Sequence, residues 1–524
     1  MKTVSILNHV LGPVMRGPSS SHTAGAFHIA SMARSMVGGT PRRAMFAFDP
    51  TGSYAATYVQ QGADRGFAMG LMGKSLTEDS FFTAISDAAR EGLDICFELH
   101  SLDNPNHPNT VEIELTSQNG DVLRLVARSI GGGEVEITQI NDHPVRFNGT
   151  AWETLIEAPL NQGEGVCALL GSDGALLESP VMVPFDPRVR LTARRTTQLS
   201  AEQRHDLQIL DNSVRIWESE PVYFVQSGQP LFASAARMVQ LTSEQNLSLG
   251  QLALAYEAQL LGIPKMDVIQ EMLRRYDIMA HSVDQGLDPK FSGLQWLPAC
   301  AGAIFQAESA GKLSFHSPHT RAAARALAVM HVDGAMGVVC AAPTGGSAGV
   351  IPGTIVTLAE ERKLSREPIA LALLASGAIG LIVAQRATFA AEVAGCQVEI
   401  GASGAMAAAA VVEALGGSAQ QACDAAAISF QNTMGSVCDL LQGSVEIPCH
   451  TRNAGAAASA FVNADMILGG YVNRIPLDET IDAVYAVGLV MPSELRCTSK
   501  GGLSVAPSAL SLKPCCPSHR SDCL

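Results

Sequence analysis

Three cysteines constrain this chain more than any other feature. Cys396, Cys438 and Cys449 stand 42 and 11 residues apart, each inside a short motif: Gly395-Cys396-Gln397-Val398-Glu399-Ile400-Gly401, Ser436-Val437-Cys438-Asp439 and Ile447-Pro448-Cys449-His450-Thr451-Arg452-Asn453. Between the first two, residues 402–415 are alanine-rich, Gly416-Gly417 interrupts the run, and residues 419–430 begin a second helical pattern. Alanine is the strongest helix former and a glycine pair is a natural stop. A hairpin of two helices returns the chain near its start, so thiols distant in sequence can meet. Three thiolates can hold an iron–sulfur cluster and leave one iron with an open position, able to act as a Lewis acid. Spacing alone leaves a second reading open, small thiols buried in a helical core, because the compact Cys-x-x-Cys pattern of many metal sites is absent.

The rest of the composition limits the function classes. A chain of 524 residues should form more than one domain. With 47% hydrophobic and only 16% charged residues, it suits closely packed helices and a further surface covered in an oligomer; a homodimer is expected. A net charge of −15 argues against nucleic acid, whose phosphates require Lys and Arg. The N-terminal residues lack the apolar run and cleavage site of a signal peptide, and twelve cysteines without secretion signals favour reduced thiols and a cytoplasmic location. Residues 369–384 are apolar but fewer than the roughly 20 needed to span a bilayer, and Arg366, Glu367 and Arg386 flank them closely. A buried core helix is expected rather than a membrane segment.

In chain order, residues 1–190 mix helix and strand signals. A polar loop at residues 16–23 leads into a helical run at 24–37, which puts Ser21, His22 and Thr23 at a helix N-terminus. Free N–H groups there favour an anion such as a substrate carboxylate, although a plain Ser/Thr cap reads equally well. Alternating residues in 110–115, 122–126 and 135–138 suggest antiparallel strands, with turns at Asn119-Gly120 and residues 131–133. The arginine-bearing stretch from about residue 186 to 227 reads as polar and connecting. The expected organisation is therefore an α+β N-terminal domain (1–190), a connector (191–230), a mostly α-helical C-terminal catalytic domain (231–510) and a Cys-rich tail (511–524). Helices are expected at 247–261, 266–283, 299–310 and 320–331. The loop at residues 343–349 lacks the lysine of a P-loop; it offers Thr344, Ser347 and backbone amides to a polar ligand, or its small residues serve close helix packing.

Taken together the motifs resemble the iron–sulfur L-serine dehydratases (L-serine ammonia-lyases), in a single-chain form with fused β-type and α-type parts. The resemblance rests on the three cysteine motifs, on Ala341-Ala342-Pro343-Thr344-Gly345-Gly346-Ser347-Ala348-Gly349, and on Leu495-Arg496-Cys497-Thr498 with Gly501-Gly502-Leu503. In the N-terminal half it rests on Gly17-Pro18-Ser19-Ser20-Ser21-His22-Thr23, His107-Pro108-Asn109-Thr110 and Ser129-Ile130-Gly131-Gly132-Gly133. It implies a 4Fe-4S cluster held by Cys396, Cys438 and Cys449, and dehydration and deamination of L-serine to pyruvate and ammonia. It also implies a substrate clamp drawn from Ser19, Ser20, Ser21, Thr23, Thr344, Gly345, Gly346, Ser347, Arg452 and Asn453. For the general base the family has a His-Gly-Thr-Asp segment after a Gly-Ser motif, whereas Gly52-Ser53 is followed here by Gln61-Gly62-Ala63-Asp64. Glutamine takes no proton at neutral pH, so His22 or His107 is the expected base, or the preferred substrate is another small β-substituted amino acid such as threonine or cysteine. For the tail thiols Cys515, Cys516 and Cys523 a poorly ordered terminus is expected; the alternative is that Cys523 reaches the open iron, as a C-terminal cysteine does in some family members. A pyridoxal-phosphate enzyme would need a lysine in a phosphate-cradling site, and the lysines lie in charged or loop-like contexts. An Ala/Gly-rich helical scaffold or membrane protein is the non-enzymatic alternative.

Overall fold

The computed structural model describes residues 3–103 and 105–514; Cys515, Cys516 and Cys523 lie outside the described residues. An α+β N-terminal region is followed by a helical C-terminal region. The larger N-terminal sheet has six strands in the order Asp94–Leu99, Arg43–Phe48, Thr110–Thr116, Val122–Gly131, Glu134–Ile140, His143–Phe147. The last four form an antiparallel meander, as alternation predicts, while the first pair is parallel. Inward residues such as Val111, Ile113 and Leu115 meet the helices Gly25–Met36 and Ala63–Met72 in one apolar core. The triple glycine forms the tight turn between two strands, with all three φ angles positive, a conformation that costs other residues energy.

The stretch expected as a connector is folded. Arg188–Arg195 pairs along its whole length with Trp152–Pro159, and Arg215–Ser219 pairs with the opposite edge of that strand. With Val181–Phe185 they form a four-stranded sheet. Val189, Leu191 and Ala193 are buried against Ile156, Val166 and Leu207. The arginines that make the segment look solvated alternate with this apolar face, and the fully buried Arg195 is neutralised by Asp173 at 2.6 Å.

In the helical half, Arg366–Arg386 is long and apolar enough to cross a membrane, but 83% of its apolar window is buried in the protein. It packs between Leu249–Leu261 and Ile400–Ala414, with Leu373, Leu374, Ile379 and Leu381 inaccessible. The chain's N-terminal turn is fixed to this helical core. Ile6 and Val10 sit where a Cβ on Gly377 or Gly380 would fall within 2.4 and 2.2 Å of them, and the backbone N–H groups of Ile6 and Leu7 donate to Glu257. The next segment, Val14–Arg16, pairs antiparallel with Val338–Cys340. These contacts carry the loop at residues 17–23 to the edge of the cysteine region.

His28, on Gly25–Met36, donates through Nδ1 to the carbonyl of Gly133 at 2.9 Å. Burial pushes its pKa down to about 4 from 6.5, only partly offset by that bond. Between those values the unfolded chain binds the extra proton, so the folded state is at full stability above pH 6.5 and loses it as pH falls toward 4. The slope is about 1.4 kcal/mol per pH unit for one group. Unfolding midpoints of His28→Gln, followed by circular dichroism from pH 7 to 4.5, should therefore fall less steeply than those of the parent chain.

Candidate active site

The three cysteines come together on three different local structures. Cys396 opens a short 3-10 turn just after Gly395, whose φ is +76°. Cys438 lies in an extended stretch, and Cys449 is the first residue of the helix Cys449–Leu468. The intervening helices Ile400–Ala414 and Ala419–Thr433 form the hairpin that returns the chain, packed through alanines. Its loop then brings Cys438 beside Cys396: these two sulfurs and a Glu399 carboxylate oxygen all lie within 4.8 Å of one another. Cys438 and Cys449 line one pocket together with Pro18, Ser19, Ser21, Gln61, Gly346, Glu392, Glu399, Ile400, Leu440, Val445 and Cys497.

A second-layer scaffold holds this geometry. Arg452 donates to the Val437 carbonyl at 2.8 Å, pairs with Asp439 at 3.0 Å and reaches Cys396 Sγ at 3.8 Å. Asp439 in turn accepts from the backbone N–H of Leu503 at 2.7 Å. Arg452 therefore braces the Cys438 strand against the helix that carries Cys449, and its expected place in a substrate clamp is not where its donors point. Asn453 is likewise a buckle: its Nδ2 donates to the carbonyls of Gly346 and Cys449, and its Oδ1 accepts from the N–H of Gly349.

The N-terminal motif does reach the pocket. Ser19 caps the turn by accepting from the His22 N–H at 3.2 Å, and residues Ser20–Ala24 form one wide π-type turn before Gly25–Met36. Ser19 and Ser21 line the pocket, while Ser20 accepts from the N–H of Gly345 and Thr23 donates to the Gln61 carbonyl. His22 is fully buried between Ser19 Oγ (3.1 Å from Nδ1) and Ser53 Oγ (3.0 Å from Nε2). Burial lowers its pKa to about 3, so it is an uncharged imidazole at neutral pH. Gln61, at the position where the family resemblance calls for histidine, lines the pocket and spends its Nε2 on the Gly443 carbonyl. His107 is not a lining residue. It accepts from the Asn109 N–H, and that loop presents Asn109 Nδ2 to Glu392 at 3.3 Å. Of the second glycine loop only Gly346 lines the pocket; Thr344 and Ser347 bond to each other and to the loop backbone, and the Thr344 hydroxyl also bonds to Glu399.

Three groups at the site have no role assigned by sequence reasoning. Cys497 donates its N–H to the Cys438 carbonyl at 2.9 Å and Cys438 donates to Leu495, so a parallel bridge sets a fourth thiol beside the first three. Cys497 adopts φ +58°, a strained value for a non-glycine residue. Glu392 and Glu399 flank Cys396 in sequence, and that proximity is the signal that points to them.

The donor set suits a thiophilic metal or cluster. Cys396, Cys438 and Cys449 are each no more than 3% exposed. A hydrogen bond with Cys438 and burial hold the Cys396 thiol well above its usual range, and burial does the same for Cys449. At Cys497 the bond to Cys438 lowers the pKa, but burial and the charges of Glu392 and Glu399 outweigh it and leave the thiol at about 12. Buried thiols clustered in this way are protonated when empty, and metal binding draws those protons off.

Comparison with known proteins agrees with this arrangement. Residues 244–504 match the family described as serine dehydratase alpha chain. The chain is 37% identical over 283 residues to the probable L-serine dehydratase, alpha chain, of Bacillus subtilis, covering 54% of this chain and 94% of that protein. It is 33% identical over 272 residues to the L-serine dehydratase, alpha chain, of Peptoniphilus asaccharolyticus, covering 52% and 93%. A further 42% identity over 149 residues links it to the probable L-serine dehydratase, beta chain, of Bacillus subtilis, covering 28% and 66%.

Proposed function

Because this chain belongs to the L-serine dehydratase family, we propose that it dehydrates and deaminates L-serine to pyruvate and ammonia. The observation that supports the reading is that Cys396 and Cys438 stand with Glu399 within 4.8 Å of one another, while Cys438 and Cys449 line one pocket together with Ser19 and Ser21 of the serine loop. Those three residues would hold a 4Fe-4S cluster. When bound, such a cluster supplies a Lewis acid that makes the substrate hydroxyl a tolerable leaving group.

The chain's own residues do the rest. Ser21, with the backbone of Gly346, offers neutral donors to a carboxylate. The uncharged His22, hydrogen-bonded to Ser19 at the pocket wall, accepts the Cα proton through that hydroxyl. Ser53 on the other ring nitrogen holds the imidazole in place. Leu440, Val445 and Ile400 exclude bulk water from the pocket. Loss of the Cα proton and of the β-hydroxyl, as water, leaves an enamine, which tautomerises to an imine and hydrolyses to the 2-oxo acid and ammonia. Asp439, Arg452 and Asn453 keep the thiol-bearing segments in register throughout.

An anaerobic assay of 2-oxo acid and ammonia from L-serine, L-threonine and L-cysteine tests this reading. Equimolar pyruvate and ammonia, with the highest kcat/KM for L-serine, is expected. Iron-loaded protein that releases no 2-oxo acid from any of the three contradicts it.

A further inference from the structure

We infer that Glu392 and Glu399 form the subsite that receives the substrate's α-ammonium group and so confine the enzyme to amino acids with a free amine. This rests on the amino-acid lyase reading above and adds a recognition element to it. Glu392 lies on the short helix Ala391–Ala394 just before Cys396, and Glu399 follows that cysteine by three residues. Both line the pocket, and a Glu399 oxygen lies within 4.8 Å of the Cys396 and Cys438 sulfurs.

The case for a cationic ligand is one of unmatched acceptors. Among the described residues neither carboxylate has a basic partner; the donors they meet are neutral, Asn109 Nδ2 for Glu392 and the Thr344 hydroxyl for Glu399. Two carboxylates enclosed together without a counter-ion repel each other and lose hydration, and burial pushes both above the ordinary carboxylate range. An independent observation comes from Asn109, which is fully buried. While its Nδ2 is held by Glu392, its carboxamide oxygen has no donor among the described residues. Two carboxylates lining one pocket, one of them held by the buried Asn109, suit a ligand that brings N–H donors and no acceptor, as an alkylammonium does. Ser21 and Gly346 line the same pocket, and a Cβ built on Gly346 would lie 3.8 Å from a Glu399 carboxylate oxygen.

The test compares wild type with Glu392→Gln, both purified anaerobically and assayed for iron, with L-serine as substrate and 3-hydroxypropanoate, which lacks the amine, as competitive inhibitor. Removing one charged hydrogen bond should raise KM for L-serine about 10- to 100-fold, with kcat changed far less, iron content unchanged and the inhibition constant of 3-hydroxypropanoate unchanged or lower. Glu392→Asp, which keeps the charge, should recover part of the serine affinity and carries the test where Glu392→Gln does not fold. Equal weakening of both ligands marks a merely structural role and overturns the inference, as does an unchanged KM. Loss of iron from Glu399→Gln overturns the paired subsite by making Glu399 a metal ligand. If iron-loaded wild type turns over no amino acid, the lyase reading itself fails; turnover with an unaffected Glu392→Gln removes the subsite alone.

Discussion

Cys449→Ala is expected to lose bound iron and turnover together. Cys449 supplies one of three converging thiols, sits at the first turn of the helix Cys449–Leu468, and is almost inaccessible. Without its sulfur only two of the three proposed ligands remain, and Cys497, bridged to Cys438 through the backbone, has no assigned place in the ligand set. Lewis-acid assistance is worth several kcal/mol, so its loss should cost on the order of 10³-fold or more in kcat. Replacing a small thiol by a methyl group changes the core little, and the fold should survive, with Arg452 still bracing Asp439. Cys423→Ala is the matching control. It is equally buried, in the apolar core of Ala419–Thr433 and away from the pocket-lining set, and should keep both iron and activity. Iron retained by Cys449→Ala would remove that residue from the ligand set.

His22→Asn should lower kcat by roughly 10²–10⁴-fold, the usual contribution of a positioned proton acceptor, while iron content stays near one cluster per chain. The argument is positional. His22 touches the pocket through Ser19 and is fixed on its far side by Ser53, whereas His107 sits behind Asn109. His107→Asn should therefore act mainly on KM, through the Asn109–Glu392 contact. Because burial keeps His22 near pKa 3, its protonation should not appear in kcat/KM between pH 5 and 8. Equal losses in kcat from the two variants, measured in pre-steady-state turnover of L-serine, would dismiss His22 as the base.

Much of the helical half is legible from composition and caps. The helical runs expected at 247–261 and from 419 are helices Leu249–Leu261 and Ala419–Thr433, each opened by a reciprocal cap, Ser248 with Gln251 and Ser418 with Gln421. The apolar run centred on Ile379 reads correctly as a core helix because charges bound it closely. The folded stretch around Arg188–Arg195 is lost to linear reading because four arginines mask its buried alternate face. The pairing of Val14–Arg16 with Val338–Cys340 is invisible for another reason: two three-residue strands more than 300 residues apart leave no local pattern.

At the site, the cysteine triad can be found from its motifs. The rest depends on which surfaces meet. Arg452 looks like a carboxylate clamp until Asp439 is seen to occupy it. Cys497 becomes a neighbour of Cys438 only through a backbone bridge spanning 59 residues of sequence. The carboxamide that donates to Glu392 comes from Asn109 in the N-terminal region, a contact that no spacing rule encodes.

The most direct test follows the iron centre while substrate is added. Protein reconstituted anaerobically with iron and sulfide is titrated with L-serine and its Mössbauer spectrum recorded, with pyruvate measured on the same sample. The account predicts about four irons per chain, one of which changes its signature on serine addition, alongside pyruvate release. A chain that makes pyruvate without iron, or a loaded cluster whose spectrum is untouched by serine during turnover, contradicts it.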